Sequence, residues 1–193
     1  MRLKSPALVT LLAVAAGAAQ AGTIAGKVIA GRGISVVWVN AIPGQSFPKP
    51  NKPLRVDQKG LRFQPHVLAV PAGATVQFLN SDSVQHNIFW PSVNGNKKLG
   101  HNLGTWPQGQ SRSFQFDTPG VVPLLCNVHP EMSGYLVVTP TPYYAETDES
   151  GNFKIAGIPD GSYTVTAWHE GYKNQSKPVM VAGEAKANFT LTK

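Results

Sequence analysis

The densest chemistry in this chain lies in Leu124-Leu125-Cys126-Asn127-Val128-His129-Pro130-Glu131-Met132. The stretch holds the chain's one cysteine, with a histidine and a methionine at the spacing C-x2-H-x2-M. A thiolate, an imidazole and a thioether this close together form a soft, mixed ligand set. Soft sulfur donors select copper among the common metals, and a His2Cys plane with a weak axial Met is the blue-copper arrangement. That arrangement needs a second histidine, and His86, in Asn80-Ser81-Asp82-Ser83-Val84-Gln85-His86-Asn87, is the candidate. Taken singly, each residue has a plainer reading. A lone Cys126 after two leucines is a small buried hydrophobe, and Met132 alone is core filler. Zinc is the competing metal, but structural zinc sites prefer more Cys or His and no Met. Together the four donors predict a single copper ion per chain, cycling between Cu(I) and Cu(II).

Such donors need rigid strands to aim them, and the composition supplies strands. After residue 22 there is almost no helical periodicity. Instead, most of the chain's 16 prolines and 19 glycines punctuate short runs rich in Val, Thr, Phe, Tyr and Trp, the pattern of an all-β protein. Thr23–Ala30 and Ile34–Asn40 read as strands. Residues 42–53, with four prolines in the stretch Ile42 to Pro53, read as a linker or crossing loop. Ala74–Asn80 alternates as a half-buried strand does. His86–Trp90, Ser111–Phe116, Val121–Cys126 and Gly134–Thr139 are further strands, whereas residues 91–110 read as loop. Turns at Ser150-Gly151-Asn152 and Asp160-Gly161 separate the later strands, among them Ser162–His169.

The chain opens with Met1-Arg2-Leu3-Lys4, a short apolar run and Ala19-Gln20-Ala21. A basic start, a short apolar core and an A-x-A end describe a secretory leader over residues 1–21. The expected location is periplasmic or secreted. No later run approaches the ~20 apolar residues of a membrane span. A single cysteine in an oxidising compartment forms no internal disulfide, and coordination would both use and protect it. The net charge is +7, but the basic residues are scattered. Nucleic-acid binding calls for a clustered basic face, so the charge reads as solubility and mild steering toward an acidic partner.

Residues 53–140 resemble a cupredoxin, the plastocyanin and amicyanin type of blue-copper domain. The resemblance rests on the strand after Pro71-Ala72-Gly73, then His86-Asn87, then Cys126, His129 and Met132 in the family's ligand order. It implies a Greek-key β-sandwich whose metal ligands are His86, Cys126, His129 and Met132. It also implies that Asn87 ties its loop to the Cys126 loop. Asn127 departs from the family, which usually carries Ser or Thr after the cysteine. Glu131 lies close to the site. His66 reads as structural, His101 as a solvated loop residue and His169 as outside the unit. Phe89, Trp90 and Trp106 read as packing residues, and an apolar patch around His129 would be the docking face for a redox protein.

Residues 22–45 and 141–193 resemble a carboxypeptidase regulatory-like domain, a second and smaller transthyretin-like β-sandwich. Thr147–Phe153, Ile158–Val165 and Gly171-Tyr172 carry the later half, and Gly26-Lys27-Val28 with Val36-Val37-Trp38-Val39 fits the opening strands. The copper unit is then inserted into this sandwich. The functional expectation is an exported electron carrier and not an enzyme. Multicopper oxidases need paired His-x-His motifs, which this sequence lacks. Copper storage or delivery, and a carbohydrate- or protein-binding role with a secondary copper site, are the alternatives.

Overall fold

The computed structural model describes residues 21–193; the leader expected over residues 1–21 lies outside the described residues except for Ala21. The strands in chain order are β1 (Ala21–Ile29), β2 (Ser35–Val39), β3 (Leu54–Gln58), β4 (Phe63–Gln64), β5 (Val67–Pro71), β6 (Ala74–Asn80), β7 (His86–Trp90), β8 (His101–Trp106) and β9 (Ser111–Phe116). They continue as β10 (Gly120–Leu125), β11 (Ser133–Thr139), β12 (Tyr144–Glu146), β13 (Asn152–Pro159), β14 (Gly161–His169), β15 (Gln175–Val181), β16 (Glu184–Lys186) and β17 (Phe189–Thr190). Among the described residues, the regular structure is β apart from one 3-10 turn at Lys97–Leu99. No helix among the described residues is long and apolar enough to cross a membrane.

The strands assemble into four sheets. Two of them, β4-β3-β6-β9 and β5-β11-β10-β7-β8, draw only on the middle of the chain. Their inner faces meet in one core that includes Val56, Phe78, Trp90, Trp106, Phe116, Leu124 and Leu136. The period of two is plain in β6, where Ala74, Val76, Phe78 and Asn80 point inward and their neighbours are half-buried. Pairing is parallel for β3 with β6 and for β5 with β11. Parallel neighbours require crossover connections, and here those crossovers carry the chain from one sheet to the other.

The other two sheets join the beginning of the chain to its end. β1 pairs antiparallel with β13 and parallel with β16 and β17. β2 lies between β12 and β14, with β15 outside. Their core includes Ile24, Val37, Phe153, Ile158, Val165 and Phe189. Gly26 is the close-approach point: a Cβ there would sit 1.9 Å from the Ala187 carbonyl oxygen. Only glycine lets the backbone at Ala187 lie against β1.

A third apolar cluster joins the two halves. Val36 of β2 and Trp168 of β14 pack with Val67 and Ala69 of β5 and Val137 of β11. Polar ties surround it. The Ala69 N–H donates to Glu146 Oε1 at 2.7 Å, and His66 Nε2 meets Glu170 Oε2 at 2.7 Å. Where the chain crosses back, the buried Thr141 hydroxyl donates to the Val39 carbonyl at 2.7 Å.

One expectation needs correction. Residues 91–110 are not all loop, because β8 pairs with β7 across His101–Trp106. Its sequence is mostly polar, with Gly104 at φ 80°, and its residues are mainly exposed. An edge strand with one wet face and a glycine irregularity lacks the apolar alternation that marks a strand in sequence.

Candidate metal centre

The centre forms where β10 ends and β7 begins. β10 runs between β11 and β7, with Leu125 opposite Phe89. That register brings Cys126, one residue beyond β10, beside the start of β7, where His86 and Asn87 lie. The return loop to β11 then carries His129 and Met132, and the Met132 N–H donates to the His129 carbonyl at 3.0 Å, closing a tight turn.

Three donor atoms converge. His86, Cys126 and His129 each offer a ligand atom, all within 4.8 Å of one another. The Nδ1 atoms of His86 and His129 are 3.0 Å apart, and Cys126 Sγ is 4.0 Å from His86 Nδ1. A four-coordinate ion with metal–nitrogen bonds of ~2.0 Å and a metal–sulfur bond of ~2.3 Å needs donor spacings of about 3.3 Å between nitrogens and about 3.6 Å from nitrogen to sulfur. The His86–His129 and His86–Cys126 spacings of 3.0 and 4.0 Å lie on either side of these values, and all three donors lie within 4.8 Å, near enough to share one ion. The donor set, two imidazoles and a thiolate, suits copper. Met132, three residues after His129, is buried in the same core as Cys126.

Burial is graded across the site. His86 is fully buried and Cys126 nearly so, whereas His129 is half-buried and the adjacent Val128 is 47% exposed. The edge of the site open to solvent is therefore at His129. Leu61, Phe63, His66, Glu131 and Met132 line a shallow cavity beside it.

Asn87 locks the two ligand-bearing segments together. Its own N–H donates to Cys126 Sγ at 3.4 Å, and its side-chain oxygen accepts the Asn127 N–H at 3.3 Å. Its amide NH2 donates to Asn102 Oδ1 at 2.9 Å and to the Gly104 carbonyl at 2.8 Å. At position 127 the backbone N–H, and not the side chain, makes this link, and that side of the loop is exposed.

His86 has a second partner that the sequence did not reveal. Its Nε2 lies 2.8 Å from Asp82 Oδ2. The same carboxylate accepts the N–H groups of Gly60 at 2.7 Å and Leu61 at 3.0 Å. Burial pushes the Asp82 carboxyl up, but those two N–H groups and His86 outweigh it and hold it below the ordinary value. An Asp in a Ser/Asp/Ser turn is ordinary loop chemistry, so no local signal marked it out.

The remaining histidines lie outside the cluster. His66 meets Glu170 between the two halves. His169 accepts or donates at 2.9 Å with Ser35 Oγ, buried in the other unit. His101 is exposed, as expected, but it lies on β8 and not in a loop, stacked near Trp90 at 5.4 Å and Phe114 at 4.8 Å.

Comparison with known proteins bears on the same residues. A family model described as copper binding proteins, plastocyanin/azurin family, matches residues 51–139. The plastocyanin of Scenedesmus fuscus is 32% identical over 81 residues, which span 39% of this chain and 83% of that protein. This chain belongs to the plastocyanin/azurin family of copper-binding proteins. Amicyanin-alpha of Methylorubrum extorquens is 31% identical over 80 residues, 40% of this chain. The chain spans 65% of the length of that relative. Among solved structures, a reduced amicyanin variant matches with a TM-score of 0.42 and 24% identity, over 46% of this chain and 84% of that one. A second family model, the carboxypeptidase regulatory-like domain, matches residues 133–192. The fold is thus all-β, a cupredoxin joined to a carboxypeptidase regulatory-like β domain. Within the cupredoxin, His86, Cys126, His129 and Met132 are the candidate copper ligands.

Proposed function

We propose that this protein is an exported one-electron carrier that holds a single copper ion between His86, Cys126, His129 and Met132. The observation that carries the reading is the convergence of three of these donors within 4.8 Å at strand ends. Copper, when bound, supplies a couple between Cu(I) and Cu(II). The chain's part is to keep its donors still. Buried strands hold His86 and Cys126, and Asn87 bonds both segments, so the ligand positions change little with charge state. The Asn87 N–H directed at Cys126 Sγ holds that sulfur in place beside His86.

A carrier fits better than an enzyme, because four protein donors leave no open position of the kind catalytic metal sites keep. The half-buried His129 edge, beside exposed Val128, is the place for a redox protein to approach. We further propose that residues 53–140 form the cupredoxin domain, set into a discontinuous sandwich of residues 22–45 and 141–193. The pairing of β1 and β2 with strands from residue 144 onward supports this division. Export follows from the leader-like residues 1–21 and suits a lone thiol protected by coordination.

The test is an absorption spectrum of the copper-loaded protein. The expected outcome is an intense visible thiolate-to-copper band that disappears in Cys126→Ser and on reduction with ascorbate. A copper-loaded wild type without that band would overturn the reading. Rapid loss of copper to a competing acceptor protein, in place of reversible redox cycling, would favour delivery instead. Glycan binding that survives Cys126→Ser would favour a binding module.

A further inference from the structure

We propose that Asp82 is a positioning residue for the copper site, which fixes the tautomer of His86 and biases the site toward the oxidised ion. This inference rests on the reading of His86 as a ligand. A carboxylate only accepts hydrogen bonds, so the 2.8 Å contact requires the proton of neutral His86 to sit on Nε2. The lone pair then sits on Nδ1, the atom 4.0 Å from Cys126 Sγ and 3.0 Å from His129 Nδ1. The other tautomer would turn an N–H toward the metal position.

Asp82 is itself held from behind. Gly60 and Leu61, consecutive residues at φ 64° and 56°, present their N–H groups to its two oxygens. Successive backbone N–H groups in such a turn form a small anion-holding concavity. Leu61 adopts that conformation without being glycine, which is uncommon for a bulky residue. From the other side, the Asp82 N–H donates to Asn80 Oδ1 at 3.0 Å, and the Asn80 amide donates to the Val84 and Trp106 carbonyls. The turn between β3 and β4, the loop between β6 and β7 and the His86 ring thus form one connected unit. A carboxylate on the far nitrogen raises the basicity of a ligating imidazole. Its negative charge also stabilises Cu(II) more than Cu(I), because the attraction grows with the charge on the ion.

Asp82→Asn tests both halves of the proposal. In this variant the new side-chain oxygen can satisfy the turn N–H groups, leaving the NH2 to face Nε2 and favour the wrong tautomer. In the metal-free reduced protein, long-range proton–nitrogen NMR should show His86 protonated on Nε2 in the wild type and shifted toward Nδ1 in Asp82→Asn. Cu(II) affinity should fall by about 10–100-fold, the usual range for such outer partners. Cu(I) affinity should fall less, so the reduction potential rises, and Asp82→Glu should recover part of the loss. Wild-type His86 protonated on Nδ1 would overturn the proposal. So would equal losses of Cu(I) and Cu(II) affinity with an unmoved potential, which is what a purely structural role gives. If Asp82→Asn does not fold, the wild-type spectrum alone decides the tautomer. Because that spectrum needs no copper, failure of the electron-carrier reading remains distinguishable from failure of this one.

Discussion

At the scale of residues, the site is a set of short polar links around a small group of donors. The convergence of Cys126 and His129 was legible because one loop holds them at fixed spacing, and that of His86 because the ligand order placed it. Asn87 was legible only through the family resemblance, while Asp82 was not legible at all. Asp82 acts through Gly60 and Leu61, more than twenty residues earlier in the chain, and no linear pattern encodes such a meeting. Asn87 gives the sharpest test at this scale. Asn87→Ala removes the acceptor for the Asn127 N–H and the donor to the Gly104 carbonyl, in a position that is nearly fully buried. Unsatisfied buried groups cost about 1–3 kcal/mol, so the unfolding free energy of the metal-free protein in a denaturant titration should fall by about that amount. A change within error would mean that water replaces the amide.

Among the elements, turns and edges decide what the pattern alone could not. β6 was readable because one of its faces is buried and the other is not. β8 was hidden because its contacts are those of a wet edge strand. The turn between β12 and β13 makes a pH prediction. Asp148 accepts hydrogen bonds from the Asn152 side chain at 2.9 Å, the Asn152 N–H at 2.7 Å and the Ser150 N–H at 2.9 Å. The Asn152 side chain and backbone, with smaller help from Ser150 and the Lys27 charge, hold the exposed carboxyl below the ordinary value despite a small loss of hydration. The folded form therefore releases this proton more readily than the unfolded one. Its contribution is full above the ordinary carboxylate range and is lost as pH falls through the folded value. The difference in Tm between wild type and Asp148→Asn should be largest near neutral pH and shrink on acidification. A difference that stays constant would show that the turn is insensitive to the charge.

For the whole molecule, the question is how firmly the copper-bearing sandwich is tied to its neighbour. Trp168 is only 6% exposed and contributes to a cluster built from both halves, with Tyr135 at a ring distance of 5.3 Å. Trp168→Ala should cost about 3–5 kcal/mol, as large-to-small core changes do. It should also divide one thermal transition into two, seen when near-ultraviolet and far-ultraviolet circular dichroism no longer coincide. Coincident transitions in the variant would mean that the polar crossings, such as Thr141 to Val39, suffice for coupling.

Composition and local spacing by themselves determined that this is a β protein with soft metal donors on one loop, because strand periodicity and C-x2-H-x2-M are properties of neighbours in the chain. The fold decided that Asp82 stands behind His86, that β8 completes a sheet and that Trp168 seals one half against the other. Each of those depends on groups brought together by burial and strand register, across separations that no window of sequence contains.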